Sequence, residues 1–200
     1  MEPKAVLAEL LGAFALTFTT LVSIHNPGFP IPSPALSALT LGLLVYLLGP
    51  ISGCLLNPAV TLGVWSVGKL RAPEAGWFIV AQFAGAGFAG ALGRLVSPWT
   101  LRLPVDAALM TGVGELLGAA LLGFTVTAVF LGRVPARLTG VVIGAALLVG
   151  IAWASQRSNG VLNPAVALGI GSFSLAYVWG PVLGALAGAR LARYLWDPGD

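Results

Sequence analysis

The pentapeptide Leu-Asn-Pro-Ala-Val occurs twice in this chain of 200 residues, at 56–60 and again at 162–166. A second pair of similar segments has the same spacing of 106 residues, because Glu-Leu-Leu-Gly-Ala stands at both 9–13 and 115–119. Two separate matches at one offset indicate an internal duplication. The fold is therefore expected to consist of two related halves.

Composition places both halves in a membrane. Hydrophobic residues make up 58% of the chain and charged residues 8%, whereas soluble globular proteins carry roughly 25% charged residues. The ten Lys and Arg residues are scattered, which argues against nucleic-acid binding. A single cysteine excludes a disulfide framework and a cysteine-built metal site. We expect an integral protein of the lipid bilayer, without catalytic cluster, metal or cofactor.

Six apolar stretches approach the length of about 20 residues that spans a bilayer. They lie at 5–24, 35–51, 75–96, 110–131, 138–155 and 174–196. Three spans per half is an odd number, so the second half must enter the membrane upside down relative to the first. We predict an all-α membrane protein with six transmembrane helices in a single domain. Its inverted repeats extend over about 1–106 and 107–200.

The basic residues give this arrangement an orientation, because cytoplasmic loops are enriched in Lys and Arg. With a cytoplasmic N-terminus, the inside set is Lys4, Lys69, Arg71, Arg133, Arg137, Arg190 and Arg193, and the outside set is Arg94, Arg102 and Arg157. Seven against three predicts that both termini are cytoplasmic. The expected location is a bacterial-type cytoplasmic (inner) membrane.

Two further apolar segments, at about 53–68 and 159–173, are too short to span the bilayer, and each has Asn-Pro-Ala near its start. Proline suits the first position of a helix, and asparagine is a favoured residue just before it. Residues 58–68 and 164–173 are thus predicted to be half-helices of about 15 Å. In an inverted repeat they enter from opposite sides and their N-termini meet at the midplane. A plain turn is the alternative for one isolated copy.

The residues before each half-helix are predicted to be non-helical, at 51–56 and 157–162. Such backbone is tolerated at this depth only where it is buried in protein or lines a wet cavity. The residues expected to line a pore here are Cys54, Leu55, Leu56, Val161 and Leu162.

The motifs resemble those of the major intrinsic protein family, the aquaporins and glycerol facilitators. The resemblance rests on Ser-Gly-Cys-Leu-Leu-Asn-Pro-Ala-Val-Thr at 52–61, on Glu9 and Glu115, and on the pairing of Gln82 with Pro181. It covers nearly the whole chain and implies six tilted helices, two re-entrant half-helices, one pore per subunit and a homotetramer. The residues that it places at the pore centre are Asn57, Pro58, Ala59, Asn163, Pro164 and Ala165.

The chemistry of the two asparagines favours neutral solutes. An asparagine that caps its own helix keeps a fixed orientation and can still donate a hydrogen bond to a passing water. Each helix N-terminus carries roughly half a positive charge. Two facing N-termini oppose a cation 4 Å away by about 4 kcal/mol at an effective dielectric near 20. Passive conduction of water or other small uncharged molecules is therefore the expected function.

Family spacing assigns the outer selectivity constriction to four positions, which are Ser37, Ile151, Gly160 and Val166. Most members of the family have an arginine where this chain has Val166, and water-selective members usually have an aromatic residue and a histidine at the first two positions. The resemblance therefore implies a wider, uncharged filter that is poor in hydrogen-bond donors. We expect glycerol- or urea-sized solutes to pass. Arg157 is either a substitute cation of this filter or an exposed, headgroup-facing arginine.

Glu9 and Glu115 are ionisable groups inside predicted spans, which in membranes are functional by default. Their equivalent placement suggests that each carboxylate accepts hydrogen bonds from an unwound loop. A proton relay is the alternative interpretation.

Two other functions fit parts of the pattern. A coupled secondary transporter also uses inverted repeats and broken helices, but it would place an acidic or basic residue at the pore centre. A non-conducting structural membrane protein would plug the pore with bulky side chains such as those of Leu55 or Val161.

Overall fold

The computed structural model describes residues 2–26, 28–96, 103 and 105–196. In these residues there are eight α-helices and no strand. The helices are α1 (Pro3–His25), α2 (Ser33–Ser52), α3 (Pro58–Ser66), α4 (Ala72–Val96), α5 (Leu109–Phe130), α6 (Thr139–Ala154), α7 (Pro164–Ile170) and α8 (Ala176–Trp196). A 3₁₀ turn at Ala136–Leu138 leads into α6. Arg102, which the charge argument placed outside, lies beyond the described residues.

The six long helices coincide with the six predicted spans, and five of them are long and apolar enough to cross a membrane. The sixth, α8, has 21 residues but is less apolar, because Arg190 and Arg193 lie near its end. Arg193 donates a hydrogen bond to the backbone carbonyl of Val67, just beyond α3. The C-terminal end of α8 is thereby tied to the loop that follows the first half-helix.

The two half-helices are present but shorter than the sequence predicts. α3 ends at Ser66 and α7 at Ile170. A glycine with positive φ follows each of them, Gly68 at 75° and Gly171 at 80°. Glycine adopts this left-handed conformation without steric cost, so it commonly ends a helix.

Small residues let the long helices pack closely in two equivalent pairs. α1 packs on α4, where a side chain at Gly85 would collide with the carbonyl of Leu10. α5 packs on α8, where a side chain at Gly184 would collide with the carbonyl of Leu116. Glycine at both crossings allows the backbones to approach each other, as in membrane helix pairs generally.

Each half-helix packs against the long helices of the other half. α3 lies against α8 and α5, and α7 lies against α4 and α1. A Cβ atom at Gly63 of α3 would lie 2.9 Å from the carbonyl oxygen of Ala185, and one at Gly169 of α7 would lie 2.6 Å from that of Ala86. This exchange brings the N-termini of α3 and α7 together in the middle of the molecule.

Candidate pore

The loops that precede the two half-helices share an unusual backbone. Cys54 and Leu56 have φ angles of 53° and 48°, and Gly160 and Leu162, each 106 positions later, have 63° and 57°. A residue other than glycine in this left-handed region costs roughly 1–2 kcal/mol. Such a conformation persists only where the surrounding contacts fix it.

Glu9 supplies these contacts for the first loop. Its Oε1 accepts hydrogen bonds from the hydroxyl of Ser52 at 2.6 Å and the N–H of Leu55 at 2.9 Å. Its Oε2 accepts from the N–H of Leu56 and from Nε2 of Gln82, both at 2.7 Å. The side chain is fully buried, so these four donors replace the water that a carboxylate would otherwise bind.

Glu115 holds the second loop in the same way, with one donor fewer among the described residues. Its carboxylate accepts from the hydroxyl of Ser158 at 2.6 Å, from the N–H of Val161 at 2.9 Å and from the N–H of Leu162 at 2.5 Å. Pro181 stands where the sequence alignment of the halves has Gln82, and its side chain cannot donate.

These bonds also decide where the loop carbonyls point. The described peptide bonds are trans, so the C=O of one residue points away from the N–H of the next. The N–H groups of Leu55 and Leu56 point at Glu9, so the carbonyls of the residues before them point away from Glu9. In the second loop the N–H groups of Val161 and Leu162 point at Glu115, and the preceding carbonyls point away from it in the same way. The residues that carry these carbonyls all line a central cavity: Cys54, Leu55, Gly160 and Val161.

Asn57 and Asn163 cap the two half-helices. The Oδ1 of Asn57 accepts from the N–H of Ala59 at 2.9 Å. The Oδ1 of Asn163 accepts from the N–H groups of Ala165 and Val166 at 3.0 and 3.3 Å. Pro58 and Pro164 occupy the first helical positions. Each asparagine oxygen is therefore committed to its own helix, and each amide nitrogen faces away from it.

The amide nitrogens connect the two halves. Nδ2 of Asn57 donates to the carbonyl of Leu162, and Nδ2 of Asn163 donates to the carbonyl of Leu56, both at 2.9 Å. A side-chain amide has two N–H donors, so one on each asparagine remains for the cavity that both side chains line.

The cavity has a volume of about 220 Å³, and both asparagines line it. Many of its lining residues form pairs 106 positions apart: Leu16 and Leu122, Thr20 and Val126, Ser37 and Ile143, Leu41 and Leu147, Asn57 and Asn163, Val60 and Val166. Of the described residues that line it, none is Asp, Glu, Lys, Arg or His. A coupled transporter needs such a group at its centre, so the lining disfavours that alternative.

The four expected filter positions line this same cavity. Gly160 has no room for a side chain, because an added Cβ would lie 3.0 Å from the carbonyl oxygen of Ile151 and 2.5 Å from the hydroxyl of Ser155. Arg157 does not line the cavity. It is exposed and lines a neighbouring pocket of about 420 Å³ with Asp106 and Tyr177, which shares Ser155 and Asn159 with the cavity. Its exposure favours the exposed arginine over the substitute cation.

The expectation that Leu56 and Leu162 line the pore was wrong for their side chains. Both are fully buried and contact glycines of the long helices: Leu56 lies against Gly12, and Leu162 against Gly118 and Gly150. The physical reason is that each side chain fills the space beside these glycines, while the carbonyl of each leucine meets the opposite asparagine.

The cavity also contains polar residues that the sequence argument missed. Thr20 and Ser33 line it, as do Ser155 and Asn159. The offset of 106 relates Thr20 to Val126, so it shows that the two residues occupy equivalent positions. It does not show which face of a helix is turned to the pore, and these polar residues therefore could not be found from it.

Comparison with known proteins supports the same architecture. Residues 2–196 match the sequence model of the major intrinsic protein family. The chain is 31% identical over 176 residues to Aquaporin AqpM of Methanothermobacter marburgensis, covering 76% of this chain and 71% of that protein. It is 28% identical over 226 residues to Aquaporin Z of Rhodopseudomonas palustris, covering 98% and 94%.

The X-ray structure of the aquaglyceroporin from Plasmodium falciparum has the same fold. Its TM-score is 0.72 at 20% sequence identity, covering 97% of this chain and 95% of that chain. The family match spans all six long helices and both half-helices. The chain therefore belongs to the major intrinsic protein family and is a passive integral membrane channel for water and small solutes, not an enzyme.

Proposed function

We propose that the channel passes neutral solutes up to the size of glycerol or urea as well as water, through a wide and uncharged filter. The filter consists of the four residues Ser37, Ile151, Gly160 and Val166. The observation that carries this proposal is that all four line one cavity with both asparagines, and none of them bears a charge or an aromatic ring.

The centre of the pore orients the passing molecule. Asn57 and Asn163 each keep one amide N–H for the cavity. A water or hydroxyl oxygen accepts these bonds, so the hydrogens of the solute are directed towards the carbonyls along the path. The backbone carbonyls of Cys54 and Gly160 are two of the acceptors along this path.

Ion exclusion in this proposal depends on the pore centre. With valine at 166 the filter presents no fixed positive charge, so the asparagine amides and the N-terminal ends of α3 and α7 oppose cations. The apolar walls add to the barrier, because they do not replace the hydration shell of an ion.

We further propose that Glu9 and Glu115 brace the two loops. Their carboxylates accept backbone N–H groups of the loops rather than lining the cavity. This supports a structural role over a proton relay.

The location, the orientation and the assembly belong to the same proposal. The bias of basic residues supports cytoplasmic termini, and the similarity to Aquaporin Z of a bacterium supports a bacterial cytoplasmic membrane. A homotetramer is proposed from the family. Native mass spectrometry of the detergent-solubilised protein measures the number of subunits, and any number other than four contradicts this part.

The proposed filter is tested with proteoliposomes in stopped-flow light scattering, using water, glycerol, urea and ammonia, with ionic current measured in parallel. We expect glycerol and urea fluxes clearly above those of protein-free vesicles, without ionic current. Water flux with both solutes excluded contradicts the wide filter. A sustained ionic current contradicts the central barrier.

A further inference from the structure

Two hydroxyl groups meet in the pore, one from α1 and one from α2. Oγ1 of Thr20 and Oγ of Ser37 are 2.8 Å apart, and both residues line the central cavity. Ser37 is one of the filter positions, whereas Thr20 lies outside that set of four.

The protons of this pair are both used within the protein. Oγ1 of Thr20 donates to the backbone carbonyl of Leu16 at 2.9 Å. A hydroxyl has one proton and two lone pairs, so while Thr20 donates to Leu16 the hydrogen bond between the two hydroxyls is donated by Ser37. Three lone pairs then remain on the two oxygens, and both protons are used. In this arrangement the pair accepts hydrogen bonds from a solute and donates none.

Four further donors near the filter follow the same rule. The hydroxyl of Ser155 donates to the carbonyl of Ile151 at 2.7 Å. The N–H groups of Gly160, Val161 and Val166 donate to Ser158 Oγ, Glu115 and Asn163 respectively. Loop carbonyls face the cavity while the loop N–H groups are occupied. These donors are already bonded to the protein, and the loop carbonyls remain as acceptors.

The fold itself does not require this hydroxyl pair. At the positions 106 residues later, Val126 and Ile143 line the same cavity in place of Thr20 and Ser37. The second half of the chain therefore builds the equivalent wall from apolar side chains. A valine at position 20 has nearly the same shape as threonine, so the exchange removes the oxygen without changing the width of the pore.

We propose that Thr20 is a fifth specificity-determining residue, which with Ser37 forms an acceptor edge that selects neutral solutes carrying hydrogen-bond donors. Ureas, amides and polyols are solutes of this class. A polar solute with acceptors alone gains nothing from the edge. This inference rests on the proposed uncharged filter, because an arginine there would supply donors.

The test compares Thr20→Val with the wild-type channel in proteoliposomes. Urea and glycerol carry donors, and dimethyl sulfoxide is a small neutral acceptor without donors. Fluxes are corrected for protein-free vesicles. We expect urea and glycerol fluxes to fall roughly fivefold, the effect of losing one hydrogen bond to a neutral group. Dimethyl sulfoxide flux is expected not to fall.

Two further variants separate chemistry from folding. Thr20→Ser keeps the hydroxyl and is expected to keep the wild-type ratio of urea to dimethyl sulfoxide flux. Thr125→Val removes a threonine that also donates to the carbonyl four residues before it, at 2.9 Å, and it is expected to change no flux because Thr125 does not line the cavity.

The outcomes are distinct. If the fluxes of all three solutes fall in parallel in Thr20→Val, or if the ratio of urea to dimethyl sulfoxide flux is unchanged, the acceptor edge is overturned while the wide filter stands. A wild-type channel that passes water but neither urea nor glycerol overturns the wide filter itself, and the inference with it.

Discussion

Asn57 donates a hydrogen bond of 2.9 Å from Nδ2 to the backbone carbonyl of Leu162, 105 residues away in the chain. Nδ2 of Asn163 donates the equivalent hydrogen bond to the backbone carbonyl of Leu56. The two half-helices are thus held together by the side chains that also face the cavity. A change at either asparagine therefore affects both the packing of the loops and the chemistry of the pore.

Asn57→Asp and Asn163→Asp should each admit cations. The carboxylate replaces an N–H donor at the pore centre with a negative charge, so the barrier to cations falls there. Current through planar bilayers measures the effect, and Asn26→Asp, beyond the C-terminus of α1, serves as the matched control. Unchanged conductance in both pore variants would count against the central barrier.

Cys54→Ser should make the channel resistant to mercurials. Cys54 is the single cysteine of the chain and lines the cavity beside Asn57, so a mercury atom on its sulfur obstructs the path. Wild-type water flux should fall on treatment and recover with a thiol reductant. Equal inhibition of the variant would show that mercury acts elsewhere.

Val166→Arg should narrow the filter and lower glycerol and urea fluxes by about tenfold or more, since each 1.4 kcal/mol of added barrier is a factor of ten. Water flux should persist. Val166→Leu adds volume without charge, and the comparison separates the two effects. Stopped-flow light scattering measures all three solutes, and undiminished glycerol flux through the arginine variant would refute the placement of Val166 in the filter.

Glu9→Ala should destabilise the protein more than Glu115→Ala. The first change removes the acceptor of four donors. The second leaves two backbone N–H groups without an acceptor, because Ser158 also donates to the carbonyl of Ala154. Each orphaned donor costs about 1–3 kcal/mol. Thermal unfolding in detergent gives the ranking. Glu74→Ala, at an exposed pair with Arg71, should have little effect. The reverse order of the two buried glutamates would contradict the ranking, and unchanged stability in both variants would contradict the bracing role.

Much of the fold follows from local patterns. The lengths of the apolar stretches predict the six long helices, because a helix in lipid must satisfy its own backbone over about 20 residues. Proline after asparagine predicts where α3 and α7 begin. The ends of these half-helices are less well predicted, since Gly68 and Gly171 stop them earlier than the apolar pattern does.

The candidate site divides in a similar way. The offset of 106 identifies Glu9 and Glu115 and the two asparagines as equivalent residues. It does not show that Leu56 and Leu162 turn away from the cavity, because this depends on their contacts with glycines of the long helices.

The sequence by itself determined the number of spans and the duplicated motif, because both follow from residue type and spacing. Together with the family resemblance, it also placed no charged residue at the proposed filter positions. The tertiary structure decided which groups meet. Because α3 and α7 each pack against the long helices of the other half, Asn57 can form a hydrogen bond with Leu162. Because α1 packs against α2, Thr20 can form one with Ser37. Such contacts depend on the distance between helices and the rotation of each helix about its axis, which the packing of distant small residues sets.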